Sequence, residues 1–408
     1  MPHDRLDTVL ERAVDGLERT GALKGKESVI ASVVPPAGGK GPRFLLEGHG
    51  TRPFLRMNSN SYLGLSFQSD VIAAGEAAVK QYGTGPGAVR FISGTWRPHR
   101  ELEDRLARFH GREAAMIFSS AYATIMGVLP ALITPDTAVI SDELNHNCII
   151  NAMRLAAPAS KHIYRHLNMD DLRHALDAAA GQARRAIIVT DGVFSMRGDH
   201  APLDTIMELA TGYDKAFEEN LLVVVDDSHG VGAFGATGRG TEEHVRSEAV
   251  DLLVGTLGKA FGVNGGYVAA SRTIIAYLRE TSPFYIYSNP ITPGEAAAAL
   301  CAVDLVDSPR GRDLLHHLRK MTARFEAGLV ELGFETIPGD HPVVPLMVRD
   351  TQRTAALVAH LRDHGVLATG LNHPVVPKGD EEIRFQISAD HTMADIEEVH
   401  DVLRVFDG

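Results

Sequence analysis

Short apolar runs with no polar face most constrain what this chain can fold into. LLVVV (221–225) is the clearest, five apolar residues in succession running straight into DDSH. A strand with one wet face alternates apolar and polar residues, whereas a run apolar on both faces belongs in a sheet covered on both sides. AAMIF (114–118), TAVIS (137–141), HIYRH (162–166), AIIVT (186–190), DLLVG (251–255) and GYVAA (266–270) complete the set. Most of the intervening segments are long enough for the crossover helix that parallel neighbours require. The expected fold class is α/β, with a mostly parallel seven-stranded sheet.

Beyond about residue 295 the pattern changes. GEAAAALCAVDLVDS and RDLLHHLRKMTARFEAGLVELG have the spacing of two long helices. Shorter elements follow at VVPLMVR (343–349), TAALVAHLRDHG, VLATGL (366–371), EIRFQIS (382–388) and MADIEEVHDVLRVF. These read as a smaller C-terminal α/β domain, joined to the first by SNPITPGE, with AGGKGP (37–42) setting off an N-terminal arm. The expected boundaries are 1–58, 59–295 and 296–408.

Forty basic against 52 acidic residues argue against a nucleic-acid reader, whose affinity would come from neutralising phosphates. Two cysteines, Cys148 and Cys301, are too few for a disulfide framework and point to a reducing cytoplasm. MPHDRLDTVLERAVDGLERTG alternates charged and apolar residues at helical spacing and lacks a signal peptide's apolar core. No stretch approaches the roughly 18 uninterrupted apolar residues of a membrane span.

DLLVGTLGKAFGVNGG (251–266) places Lys259 after an apolar run. A phosphate-cradling nucleotide loop needs glycine where Leu253 stands and a hydroxyl residue where Ala260 stands. A lysine that bonds a carbonyl cofactor needs small neighbours, close backbone approach and a nearby hydroxyl; the glycines and Thr256 supply these. A solvated loop lysine is equally compatible with this stretch alone.

LLVVVDDSHGVG delivers Asp226, Asp227 and His229 to the carboxyl edge of the sheet, where open α/β sheets bind ligands. A carboxylate there can keep a pyridinium nitrogen protonated. It can also cap the following turn, or join a histidine on a metal. The pairing with Lys259 favours the cofactor. SDELNHN puts His146 where an imidazole could stack on a flat ring, and FSSAYATIMG (118–127) runs from strand into helix, whose first N–H groups form an anion site. TDGVFSMRGD (190–199) again sets polar groups at a strand's end. Arg384 interrupts an apolar strand, where it pairs with a structural acid or grips a substrate carboxylate. His360 and His364 have a metal site's i,i+4 spacing without a zincin's glutamate or a third ligand, so a solvated helix face is expected and no metal.

Taken together, NSNSYLGL, YGTGPGAVRFISGT with His99 and Glu103, SDELNH, DGVFSM, VDDSHGVG, GTLGKAFG, YSNP and PVVPKG…IRFQIS resemble the α-oxoamine synthases. These fold-type I pyridoxal 5′-phosphate (PLP) enzymes condense an amino acid with an acyl-CoA. The resemblance runs from about Asn58 to the C-terminus and makes 59–295 the cofactor-binding large domain. It implies that Lys259 is the Schiff-base lysine and general base, and that Asp226 partners the pyridine nitrogen. It also implies that His229 bonds the cofactor's phenolic oxygen and that His146 stacks on the ring. The phosphate would be held by the backbone of Ala121 and Tyr122, by Thr256, and by Ser288 and Asn289 of a second copy, which implies a homodimer. Ser195 matches a cofactor-contacting serine, and Arg384 with Asn60 would bind the amino-acid carboxylate.

Within the family the motifs look most like the glycine C-acetyltransferases, which suggests glycine and a short acyl group. Thr124 and Ile125 stand where the family usually has Ala-Asn, and GTLGKAFGVNGGY is one residue shorter than those enzymes' version. A longer-chain synthase of the 8-amino-7-oxononanoate type is therefore the alternative. The rivals outside the synthases are an aminotransferase on the same fold and a cofactor-binding regulator or inactive subunit. Retention of Lys259 argues against the inactive subunit.

Overall fold

All seven apolar runs enter one sheet. The structure, a computed structural model, describes residues 3–19, 23, 27–373 and 375–407. In chain order the strands are β1 (Ala114–Phe118), β2 (Thr137–Asp142), β3 (Ser160–Tyr164), β4 (Arg185–Asp191), β5 (Leu221–Asp226), β6 (Leu252–Thr256) and β7 (Gly266–Ala270). Across the sheet the order is β1-β7-β6-β5-β4-β2-β3. Strands β6, β5, β4, β2 and β3 pair in parallel, while β7 runs antiparallel between β1 and β6. A short reversal suffices to join antiparallel neighbours, so the chain passes from β6 to β7 without a helix.

The central strands are buried almost throughout, as their composition requires. One face packs on Ile125, Val128, Leu129 and Leu132 of the helix Ala121–Leu132 and on Ile149, Ala152 and Met153 of the helix Asn147–Leu155. Strand β3 begins and ends two residues earlier than HIYRH (162–166) suggests. It is an edge strand paired with β2, which ends at Asp142 opposite Tyr164, and Leu167 then turns with φ 54°. His166 therefore leaves the sheet.

Two compact units make up the chain. One is Asn60–Arg319; the other combines the chain before Asn60 with the chain from Lys320 onward. The expected boundary falls at 295/296, whereas the units divide within the helix Pro309–Glu331. In the second unit the apolar stretch VLATGL splits in two. Val366–Leu367 pairs in parallel with Pro53–Arg56, while Thr369–Leu371 pairs with Glu382–Gln386. The N-terminal stretch forms the helix Asp4–Arg19, whose apolar residues are exposed. Residues 1–2, 20–22 and 24–26 of the expected arm, Pro374 of PVVPKG and Gly408 lie outside the described residues. Among the described residues no helix is long and apolar enough to cross a membrane.

Candidate active site

Five strands end on turns that line one cavity. The turn after β5 brings Asp226, Ser228 and His229; β6 leads to Lys259; β4 ends in Asp191 and continues to Val193 and Ser195. Beyond β2 come His146 and Cys148, and beyond β1 come Ala121 and Tyr122. A parallel sheet aligns its carboxyl ends, so residues up to 138 positions apart meet at one edge.

Each group is held by its own turn. Oδ1 of Asp226 accepts from the Ser228 backbone N–H at 3.1 Å and from its hydroxyl at 2.5 Å. Asp191 stands opposite Asp226 in the β4–β5 register. Its Oδ2 accepts the His146 backbone N–H at 3.1 Å, while its buried Oδ1 has no hydrogen-bond partner among the described residues. Burial, then the nearby charge of Asp226, pushes the Asp191 carboxyl up. His146 caps the helix Asn147–Leu155, and burial, helped by the Lys259 charge, pushes its imidazole down against the pull of Asp226.

Asp227 turns elsewhere. It accepts from the Thr241 N–H at 2.8 Å and the Thr241 hydroxyl at 2.6 Å, and burial pushes its carboxyl up to about 7. Of the adjacent acidic pair, Asp226 serves the cavity and Asp227 ties the following turn.

The Lys259 turn is closed by hydrogen bonds from Leu257 N to Gly265 O and from Val263 N to Leu257 O. Gly262, at φ 70°, lies so close to Ser66 that a Cβ would stand 2.4 Å from its backbone nitrogen. The Thr256 hydroxyl accepts from Gly258 N at 3.1 Å and donates to Gly265 O at 3.2 Å. At the helix Ala121–Leu132, Ser120 accepts from Ala123 N. The two preceding N–H groups, of Ala121 and Tyr122, belong to the first turn that a helix leaves without internal acceptors.

The chain matches the family model "Aminotransferase class I and II" over residues 52–403. It is 41% identical over 362 residues to the 8-amino-7-oxononanoate synthase of Geobacter metallireducens, covering 88% of this chain and 90% of that one. Against the human mitochondrial 2-amino-3-ketobutyrate coenzyme A ligase it is 38% identical over 395 residues, 96% of this chain and 90% of the relative. The Sphingomonas wittichii serine palmitoyltransferase superposes with a TM-score of 0.88 at 26% identity, covering 99% of this chain and 97% of that one. The chain belongs to the α-oxoamine synthase family. It is a PLP-dependent enzyme of the acyltransferase type with the fold-type I architecture.

The cavity of this α-oxoamine synthase fits that cofactor chemically. A helix terminus suits a phosphate, a buried carboxylate suits a pyridinium, an amine suits a carbonyl, and the orphaned Asp191 oxygen marks a place for a polar ligand. Lys259, Asp226, His229, His146, Ser195, Ala121 and Tyr122 meet there. Four other expected residues of the same unit are not in the lining. Thr256 is engaged beneath the lysine turn, and Ser288 and Asn289 follow the short helix Pro283–Ile286, Asn289 being exposed. Asn60 is linked to the cavity through the Tyr62 hydroxyl, which lies 3.4 Å from its Oδ1 and 2.7 Å from His229 Nδ1. Arg384 lies in the other unit, on the strand Glu382–Gln386, opposite Pro345 on one side and Thr369 on the other.

His360 and His364 face backbone acceptors: His360 Nε2 is 2.9 Å from Val402 O, and His364 Nδ1 is 2.8 Å from His360 O. Among the described residues no group of three or more His, Cys, Asp or Glu is placed to hold a metal.

Sequence reasoning missed Asp191, Cys148, Ser228 and Tyr62. Asp191 had a signal in TDGVFSM, a polar residue ending a buried strand just as Asp226 does. Tyr62 had none beyond its place in NSNSYLGL, because its contact spans 167 residues.

Proposed function

We propose that this α-oxoamine synthase condenses an amino acid, glycine foremost and alanine or serine as alternatives, with an acyl-CoA. It releases free CoA and an α-amino ketone or amino-keto acid. The observation that carries this reading is the convergence of Lys259, Asp226, His229 and His146 on one cavity beside a helix N-terminus. PLP supplies an electron sink for the negative charge that develops at the amino acid's Cα.

The protein's residues have distinct roles in this reading. Lys259 would hold the cofactor through its carbonyl carbon, and its Nζ would serve as the base that takes the Cα proton. Asp226 keeps the pyridine nitrogen protonated, and Ser228 holds that carboxylate in place. His229 serves the phenolic oxygen and His146 covers the ring. The Ala121 and Tyr122 N–H groups take the phosphate, with Thr256 and with Ser288 and Asn289 of a second copy, so the active unit is a homodimer. Ser195 contacts the cofactor. The family resemblance assigns the substrate carboxylate to Arg384, assisted by Asn60. The cysteine content favours the cytoplasm.

Similarity of about 40% to named 8-amino-7-oxononanoate synthases favours a second reading, in which the acyl chain is longer. A matrix of amino acids against acyl-CoA chain lengths, read by free-thiol release, separates the two. Release with glycine and a short acyl group supports the first reading, and release confined to long chains supports the second. Amino exchange with 2-oxo acids and no thiol release with any pair sinks both. Borohydride reduction of the yellow protein should fix the cofactor on Lys259, and Lys259→Ala should abolish that fixation.

A further inference from the structure

Beside Asp226 and His146 sits a group to which neither the sequence reading nor the proposed reaction assigns work. Cys148 lines the cavity and is 1% exposed. Its Sγ lies 2.9 Å from Nδ1 of His146 and 3.6 Å from Oδ2 of Asp226. We infer that Cys148 is a positioning residue of the site, its single thiol proton alternating between Nδ1 of His146 and Oδ2 of Asp226. The inference rests on the cofactor reading above.

Three observations support a thiol that acts as a hydrogen-bond donor. First, the sulfur faces acidic groups from two strands, Asp226 at the end of β5 and Asp191 at the end of β4, and His146 from its own turn. Burial and then those two carboxylates push the thiol far up, so it keeps its proton and is neither a nucleophile nor a metal ligand.

Second, Nδ1 of His146 accepts the Cys148 backbone N–H at 3.3 Å, which places the proton of the neutral imidazole on Nε2. The thiol then has one proton and two acceptors, His146 Nδ1 and Asp226 Oδ2. Oδ1 of Asp226 is already taken by Ser228, so the thiol is the donor at the remaining oxygen. A ligand N–H arriving at Asp226 competes with the thiol, whose proton then turns to His146. The state of the carboxylate is thereby felt at the imidazole.

Third, Asp191 presents to the same cavity a buried oxygen without a partner among the described residues, while its other oxygen holds the His146 backbone. His146 is thus fixed by Asp191 at its backbone and by Cys148 at its ring, and the cavity keeps an unanswered polar atom for a ligand.

The test compares native holoenzyme with Cys148→Ala and Cys148→Ser, measuring the pH midpoint of the bound cofactor's visible absorbance and the dissociation constant for PLP. The ionisable groups facing the sulfur are Asp226, Asp191 and His146, and Lys259 and His229 share the cavity. Alanine should move the midpoint by about half a unit or more and weaken PLP binding roughly fivefold, the loss of one hydrogen bond. Serine, which can donate as the thiol does, should restore both toward native. A native midpoint and affinity in the alanine variant would overturn the inference, as would a serine variant that behaves like alanine. Should alanine not fold, Cys148→Val fills the space without a donor, and an unshifted midpoint there overturns it equally. Borohydride fixation that survives Lys259→Ala would instead sink the cofactor reading itself, whatever Cys148 does.

Discussion

The hydroxyl of Tyr62 lies 2.7 Å from Nδ1 of His229, joining two residues 167 positions apart. Tyr62 is fully buried, and its ring is tilted against the imidazole at a centroid distance of 6.2 Å. A buried imidazole without such a bond turns or leaves a nitrogen unsatisfied. The tyrosine therefore sets how His229 presents itself to the cavity. Tyr62→Phe keeps the ring packing and removes the hydroxyl, and with it the bonds to His229 and Asn60. It should lower kcat for thiol release about tenfold, which is about 1.4 kcal/mol, while cofactor fixation on Lys259 persists. Unchanged turnover would show that His229 needs no such support.

Gly266 opens β7 where the helix Ala121–Leu132 begins. A Cβ there would fall 2.3 Å from Ala121 N and 2.4 Å from the Ser120 carbonyl carbon. Both neighbours are backbone and cannot yield as a flexible side chain would. Gly266→Ala should displace the helix terminus and weaken PLP binding about tenfold or more, since hydrogen bonds to a charged group contribute roughly 1.5–3 kcal/mol. Titration of apoprotein with PLP checks this, and native affinity would dissociate the anion site from this terminus.

Glu103 organises a buried ion cluster. It accepts from Arg90 Nη1 at 3.0 Å and Nη2 at 3.1 Å, from Arg279 Nη2 at 2.9 Å and from Ile117 N on β1 at 3.1 Å. Arg90 is 4% exposed, so removing its partner leaves a buried charge unpaired. Glu103→Gln should destabilise the fold by about 3–5 kcal/mol in denaturant unfolding. Arg90→Met combined with Glu103→Gln should cost less than the two single changes summed.

His166 lies between two carboxylates, Nδ1 3.0 Å from Asp142 and Nε2 3.2 Å from Asp199. Burial opposes its charge, but the bonds to Asp142 and Asp199 prevail and raise the imidazole to about 9. The unfolded value is near 6.5, so folding binds a proton tightly here. This stabilisation is fully present below about 6.5 and is lost as pH rises through about 9. Allowing for solvent screening of this partly exposed imidazole, it is on the order of 2–3 kcal/mol. The native protein should lose stability between pH 7 and 9.5, and His166→Asn should flatten that part of the profile in urea unfolding measured at each pH. An equally steep profile in the variant would place the proton elsewhere. Phe194 packs edge-on against His166 at 4.4 Å, so the 192–200 loop that carries Ser195 should loosen over the same range.

Two kinds of information made the site. Local composition determined the sheet and its reactive edge. Runs such as LLVVV can be satisfied only by burial on both faces, and a parallel sheet then gathers whatever follows each strand at one end. Lys259, Asp226, His229 and His146 were legible for that reason, each being a polar residue at or within four positions of the end of a buried strand. Tertiary structure decided what composition and spacing by themselves left open. Asp226 and Asp227 are adjacent acids, yet Asp226 closes β5 and lines the cavity, whereas Asp227, the first residue past the strand, is held by Thr241. Tyr62 on His229, Cys148 between His146 and Asp226, and Asp191 opposite Asp226 depend on strand register and on contacts across dozens to hundreds of residues. Hydrogen bonds are directional and short, and no periodicity in the chain encodes which distant partner will complete them.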